Sequence, residues 1–354
     1  MRIFGVIGIA AVAVMLSGCG GGSQSQLAPS SPFQQSGALS RVGQLPEGLV
    51  NTAMSGAAET GVVALHPDHG PSWMAPDAKA QNLLYLTNYG ANNVLVFSYP
   101  QDKLVGTLTG PFYLPDGDCT DKKGDVWMVN NAFEGIVEYQ HGGTTPIATL
   151  QDPGYYANAC VVDPTTGNLI VTNHQTYSGS GPGNVAIYTH AKGNAELYPV
   201  AGVSFVYFCA FDDKGNLYVD GLTSGGAGFQ LAELPKGKKT FTDIPLKGGT
   251  INFPGNIQWV GKYMAVGDQE YQVSPETSAI YQTTGAGGKI VGVTRLKGSI
   301  DVIGFWIDGT TVIGPEGGTN LVPFYKYPAG GSPIKTLKNQ AFNGPFTAAI
   351  SLAK

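Results

Sequence analysis

The sequence predicts an all-β protein in which six sheets of four antiparallel strands stand around a common axis. Three observations carry that prediction: a strand-like phrase that returns every 42 to 48 residues, hairpin chemistry inside each unit, and a C-terminal strand with no partner of its own. The composition agrees. Glycine supplies 51 of 354 residues, about twice the usual share of roughly 7%, as many tight turns require. Charged residues make up only 13%, whereas 42% are hydrophobic, so the chain can bury a large core and is not disordered as a whole. A formal charge of −5 with dispersed lysines excludes the concentrated basic face that nucleic-acid binding needs.

The first phrase occurs at Leu84–Asn88, Val126–Asn130, Leu169–Asn173, Leu217–Asp220, Tyr263–Gly267 and Thr311–Gly314, with first residues spaced by 42, 43, 48, 46 and 48. A second apolar phrase follows each at Val94–Phe97, Ile136–Tyr139, Val185–Tyr188, Leu231–Leu234, Ala279–Tyr281 and Phe324–Tyr327. A third closes each unit at Leu104–Leu108, Ile147–Leu150, Glu196–Tyr198, Phe241–Ile244, Lys289–Gly292 and Ile334–Leu337. A fourth precedes the first. It is clearest at Cys119–Gly124, at Cys160–Asp163 with Gly167, and at Cys209–Asp212 with Gly215. Asp before a short polar run and Gly is turn chemistry: the carboxylate caps the turn and the glycine takes positive φ. Six units of about 45 residues fill positions 83–354, and four strands in 40–50 residues is the pattern of a β-propeller blade. The first unit lacks an inner strand, and Phe346–Leu352 has inner-strand character. The expected fold is therefore a six-bladed β-propeller whose C-terminal strand joins the first blade and closes the ring, removing an open sheet edge.

This arrangement resembles the NHL-type six-bladed β-propellers over about three quarters of the chain; neither the Trp-Asp phrase of WD40 blades nor a kelch-like diglycine occurs. The N-terminal region reads differently. Arg2 precedes a 14-residue apolar stretch, Ile3 to Leu16, too short for a bilayer crossing of about 20 residues but suited to an export signal. It runs into Leu16-Ser17-Gly18-Cys19, which resembles the lipobox of bacterial lipoproteins. That resemblance implies a signal peptide over residues 1–18 and acylation of Cys19, which tethers the protein to a membrane outside the cytoplasm. Gly20 in place of the Asp found in inner-membrane lipoproteins points to the outer membrane over the inner. Residues 19–60, rich in Gly, Ser, Gln and Pro, form an expected flexible tether. Residues 61–82 are a transitional segment in which Trp73 and Met74 pack on the propeller, and 83–354 are the propeller itself.

Cys119, Cys160 and Cys209 recur at the blade period, so they occupy one position on three neighbouring inner strands. The favoured reading is three small, buried, unpaired side chains; the other is a thiol cluster holding a soft metal or forming a disulfide. Asp121, Asp163, Asp212 and Asp213 fit turn caps, whereas Asp116, Asp118, Asp268, Glu270, Asp301 and Glu316 do not. No G-x-S-x-G nucleophile phrase occurs. The loops that share one face of the ring carry Tyr113, Phe133, Tyr155, Tyr156, His174, Tyr177, Tyr207 and Tyr271, with residues 173–184 as the longest loop. Aromatic rings with polar handles suit recognition. The expected function is a lipid-anchored binding module that contacts a protein, glycan or small molecule through this face, without a cofactor. The alternative is a calcium-dependent lactonase- or lyase-like hydrolase. A resemblance to six-bladed calcium lactonases would place Glu134, Asn158, Asn256 and Glu316 around an ion at the channel mouth; their oxygens are of the type calcium takes.

Overall fold

The computed structural model describes residues 70–354 apart from 133–134, 180, 227 and 274–275. Six sheets form the predicted ring. The first blade runs from its inner edge outward as β25 (Pro345–Ser351), β2 (Asn82–Asn88), β3 (Asn93–Tyr99) and β4 (Leu104–Leu108). A two-residue strand, β1 (Trp73–Met74), pairs outside β4 as a fifth. The second blade holds β5 (Pro115–Thr120), β6 (Val126–Asn130), β7 (Gly135–Tyr139) and β8 (Pro146–Gln151), and the third holds β9 (Tyr155–Val162), β10 (Leu169–Thr176), β11 (Pro182–Tyr188) and β12 (Glu196–Tyr198). The fourth comprises β13 (Val203–Phe211), β14 (Leu217–Thr223), β15 (Phe229–Leu234) and β16 (Thr242–Ile244). The fifth comprises β17 (Pro254–Val260), β18 (Tyr263–Val273), β19 (Glu276–Thr283) and β20 (Ile290–Leu296), and the sixth β21 (Trp306–Asp308), β22 (Thr311–Ile313), β23 (Val322–Lys326) and β24 (Lys335–Leu337). The inner strands β25, β5, β9, β13, β17 and β21 neighbour one another in that order around the axis.

The turns form as their residues dictate. Asp121 Oδ1 accepts the Lys123 and Asp125 N–H groups at 2.7 and 2.9 Å, and Gly124 sits at φ +87°. Asp212 repeats the device with Lys214 and Asn216, and Gly215 lies at φ +84°. Ring closure is likewise as expected: Leu84 pairs with Ile350 and Leu86 with Ala348. The seam is also hydrogen-bonded. Thr87 donates to the Asp116 carbonyl at 2.7 Å, and Thr347 donates to Asp118 Oδ1 at 2.8 Å, which ties β25 to the second blade as well as the first.

Apolar side chains fill the spaces between blades. Trp127, Tyr139, Tyr188 and Tyr325 are among the largest fully buried residues, each contributing roughly 1.5–3 kcal/mol through burial. Neighbouring inner strands approach closely where small residues permit it: a Cβ on Gly117 would lie 2.6 Å from the Asn158 carbonyl oxygen. The cysteine expectation needs correction. Cys119 of β5 and Cys160 of β9 form a disulfide, with Cα atoms 5.7 Å apart, because equivalent positions on adjacent inner strands fall within bonding range. Among the described residues, Cys209 is the one free thiol and is buried, and burial pushes its pKa up. Among the described residues, no helix is long and apolar enough to cross a membrane.

Candidate functional site

Two kinds of connection, those between the second and third strands of a blade and those between blades, share one end of the ring. The inner strands start there. At that end a belt of rings runs across the third and fourth blades. Tyr156, at the start of β9, meets Tyr177 edge-on with centroids 4.7 Å apart. His174, on β10, lies 5.0 Å from Phe205 and stands edge-on to Tyr207 at 4.8 Å. Tyr207 in turn contacts Phe253 at 5.6 Å. Phe253 is held by the turn entering the fifth blade, where buried Asp268 accepts the N–H groups of Asn252, Phe253 and Glu270, each at 3.1 Å.

Tyr207 and Phe208 of the fourth blade share one apolar cluster with Tyr89 and Phe346 of the first. Ala159 of the third blade, Ile257 of the fifth and Ile303 at the entry to the sixth belong to the same cluster, which therefore spans several blades. Tyr89 and Phe346 stack with centroids 5.4 Å apart. Asp116 is buried beside them. Its Oδ2 accepts Asn131 Nδ2 at 2.8 Å, yet burial raises its pKa well above the ordinary carboxylate value. Burial raises the pKa values of Tyr89 and Tyr207, and the Asp116 charge adds to both, behind that of Asp220 in the case of Tyr207. Burial also lowers His174 to about 3. At neutral pH the belt therefore carries a neutral imidazole, and the Asp116 carboxyl near it is biased toward its neutral form.

The structure brings Tyr156, His174, Tyr177 and Tyr207 together. Tyr113 lies on the approach to the second blade, its N–H donating to Asn130 Oδ1 at 3.2 Å. Tyr155 opens β9. Exposure divides the group: Tyr156, His174 and Tyr207 are only 2–3% exposed, whereas Tyr113, Tyr155 and Tyr177 are partly exposed, as are Phe205 and Phe253. Phe133, Glu134 and the Tyr271 side chain lie outside the described residues. The long loop expected over residues 173–184 is shorter than that. Asn173 pairs with Asn184 and Gln175 with Pro182, so His174 sits on a strand. Asn173, His174, Gln175 and Asn184 are buried, and Asn173 Nδ2 donates to Asn184 Oδ1 at 3.0 Å. Phe253 escaped the sequence reading because its role depends on the Asp268 turn.

Of the four residues proposed around an ion, Asn158 Nδ2 donates to the Tyr207 carbonyl and Asn256 Nδ2 to the Phe305 carbonyl, both at 2.7 Å. These are the same bond at two blade junctions. Glu316, 3% exposed, accepts Thr319 Oγ1 at 2.9 Å and Tyr325 Oη at 3.2 Å, and burial raises it to about 7. Among the described residues, the carboxylates close enough to share a metal are Asp121, Asp125 and Glu138, at the hairpin end of the second blade.

Residues 188–340 match the model of a family of unknown function, DUF6454. No curated protein matches the sequence. Among solved structures, a chain of the nidogen/laminin complex superposes with a TM-score of 0.62 at 12% identity, covering 77% of this chain and 99% of that one. A protein of unknown function from Bacteroides caccae superposes with a TM-score of 0.57, also at 12% identity and with the same coverage. At such identity the likeness concerns the fold, and with the sheet order it defines the class: a six-bladed β-propeller.

Proposed function

We propose that this protein is a binding module that takes a glycan on the aromatic end of its propeller and is held outside the cytoplasm by an acylated Cys19. The observation that carries the binding reading is the two-tier arrangement of rings. Buried Tyr156, His174 and Tyr207 pack against partly exposed Tyr177, Phe205 and Phe253, and Tyr113 and Tyr155 add two more partly exposed rings at the same end. Fixed, partly exposed rings lose little freedom on binding and can stack on the apolar faces of sugars while their hydroxyls hydrogen-bond.

The anchoring reading rests on Leu16-Ser17-Gly18-Cys19. It is supported by the Cys119–Cys160 disulfide, a bond that persists in oxidising compartments. The outer membrane is the proposed location.

The test uses glycan arrays and affinity electrophoresis on envelope polysaccharides, with wild type, Tyr155→Ala and Tyr113→Ala. Each variant should keep its melting temperature and lose roughly tenfold or more in binding, the effect of a truncated interface anchor. Unchanged binding would mean the exposed tier is only filler between blades. Melting with and without a chelator separates the calcium-hydrolase alternative: a large drop restored by calcium would favour that alternative. Cys19→Ala should move the protein from the membrane to the soluble fraction; continued pelleting with membranes would remove the anchor from the proposal.

A further inference from the structure

The other end of the axis carries a second site, separate from the aromatic belt. Toward the hairpin end the ring holds a cavity of about 360 Å³ walled by all six inner strands. That volume falls in the usual range of roughly 300–1,000 Å³ for small-molecule sites. Its wall reaches Pro164 and Asp213, both exposed to solvent, so the cavity has an entrance at the hairpin end.

The wall is mostly apolar and its charge is of one sign. Asp118, Asp212 and Asp213 line the cavity, and no lysine, arginine or histidine does. Asp212 is already used: Oδ1 caps its turn and Oδ2 accepts Asn216 Nδ2 at 2.9 Å. Asp118 lies deeper. Its Oδ1 takes the Thr347 hydroxyl at 2.8 Å, while Oδ2 has no partner among the described residues. A half-buried carboxylate whose inner oxygen has no hydrogen bond lacks a counter-charge. Burial accordingly raises Asp118 to about 7. Trp259, Trp306 and Phe211 also contribute to the wall and are partly exposed, and aromatic faces attract cations in water-poor sites.

We infer that the lower channel binds a compact organic ammonium ion, with its apolar body against the aromatic wall and its charge beside Asp118. An anion would meet three carboxyls of its own sign. A neutral apolar molecule would fill the space and leave Asp118 without its counter-charge. The chemistry of the wall thus selects for an apolar body and a positive head together.

The test uses the full purified protein with choline as the probe, and its uncharged isostere 3,3-dimethylbutan-1-ol as the control. Binding is followed by calorimetry and by tryptophan fluorescence, since Trp259 and Trp306 lie in the wall. Choline should bind roughly tenfold or more tightly than the isostere. Asp118→Asn should remove most of that preference and leave isostere binding unchanged. Val161→Phe, which narrows the cavity from a partly exposed wall position, should weaken both. Equal binding of the two probes, no binding of choline at concentrations well above millimolar, or choline binding indifferent to both substitutions would overturn the inference. Should Asp118→Asn fail to fold, the wild-type comparison and Val161→Phe decide it alone.

Discussion

Joining Cys119 to Cys160 closes a loop with a sequence separation of 41. In the chain-entropy description, a cross-link over a loop of that length removes about 13 cal/mol/K from the unfolded ensemble, or about 4 kcal/mol at 25 °C. The perturbation is the double substitution Cys119→Ala, Cys160→Ala, which keeps the position small and apolar. Urea unfolding of wild type and variant measures it. With a slope of roughly 2–3 kcal/mol/M, the midpoint should fall by between about 1 and 2 M. Thiol titration of unreduced, denatured protein in a Cys19→Ala background provides the independent check. One free thiol, Cys209, is expected. Three free thiols, or a midpoint displaced by less than about 0.3 M, would refute the reasoning.

Three further outcomes are expected. Asp118 and Glu316 are both raised by burial to about 7, above their unfolded values. The folded state then holds protons that the unfolded state has released, so stability is fullest below about pH 4 and declines as pH rises through about 7. Rises of that size correspond to a ceiling of about 3–4 kcal/mol per group. Allowing for water near both carboxyls, thermal melts should show about 1–2 kcal/mol lost per group between pH 5 and 8.5, and Asp118→Asn with Glu316→Gln should flatten the curve; melting that rises with pH contradicts this. Gly117→Ala drives a Cβ to 2.6 Å from the Asn158 oxygen and the Ala159 Cα, at a cost of about 1–3 kcal/mol. Gly135→Ala, whose nearest neighbour would be 3.8 Å away, should stay within about 0.5 kcal/mol; equal melting of the two variants would dismiss the close approach. Removing residues 345–354 takes away β25, every residue of which is buried, and should leave insoluble or protease-sensitive protein; a soluble chain with unaltered melting would show that the seam is dispensable.

The local grammar of the blades was legible. The phrases at Leu84, Val126 and Leu169 are the second strands of their blades, and Asp121 and Asp212 cap the turns, because alternation and turn chemistry depend on adjacent residues. The unpartnered Phe346–Leu352 pointed to ring closure for the same reason. Features that depend on contacts around the axis were not legible. Three cysteines share one repeat position, and nothing local selects which two pair. Tyr156 and Tyr207 read as presented side chains, yet they form the buried tier, since period-two alternation does not say which ring reaches the axis. Asp118 stood out only as an acid without a turn. Its place in the cavity wall follows from the packing of six strands drawn from almost the whole length of the propeller. The outer strand Trp73–Met74 is too short to show a period at all.

The seam has a consequence for the order of assembly. Five blades are stacks of consecutive hairpins, whose contacts form between near neighbours in the chain. The first blade instead waits for a contact between Thr87 and Thr347, 260 positions apart, and closing so long a span is slow. The inner edge of β2 therefore stays bare through most of assembly and is a natural grip for a chaperone or for a strand of another copy. The same clasp that protects the finished wheel makes its first spoke the most vulnerable piece of the unfinished one.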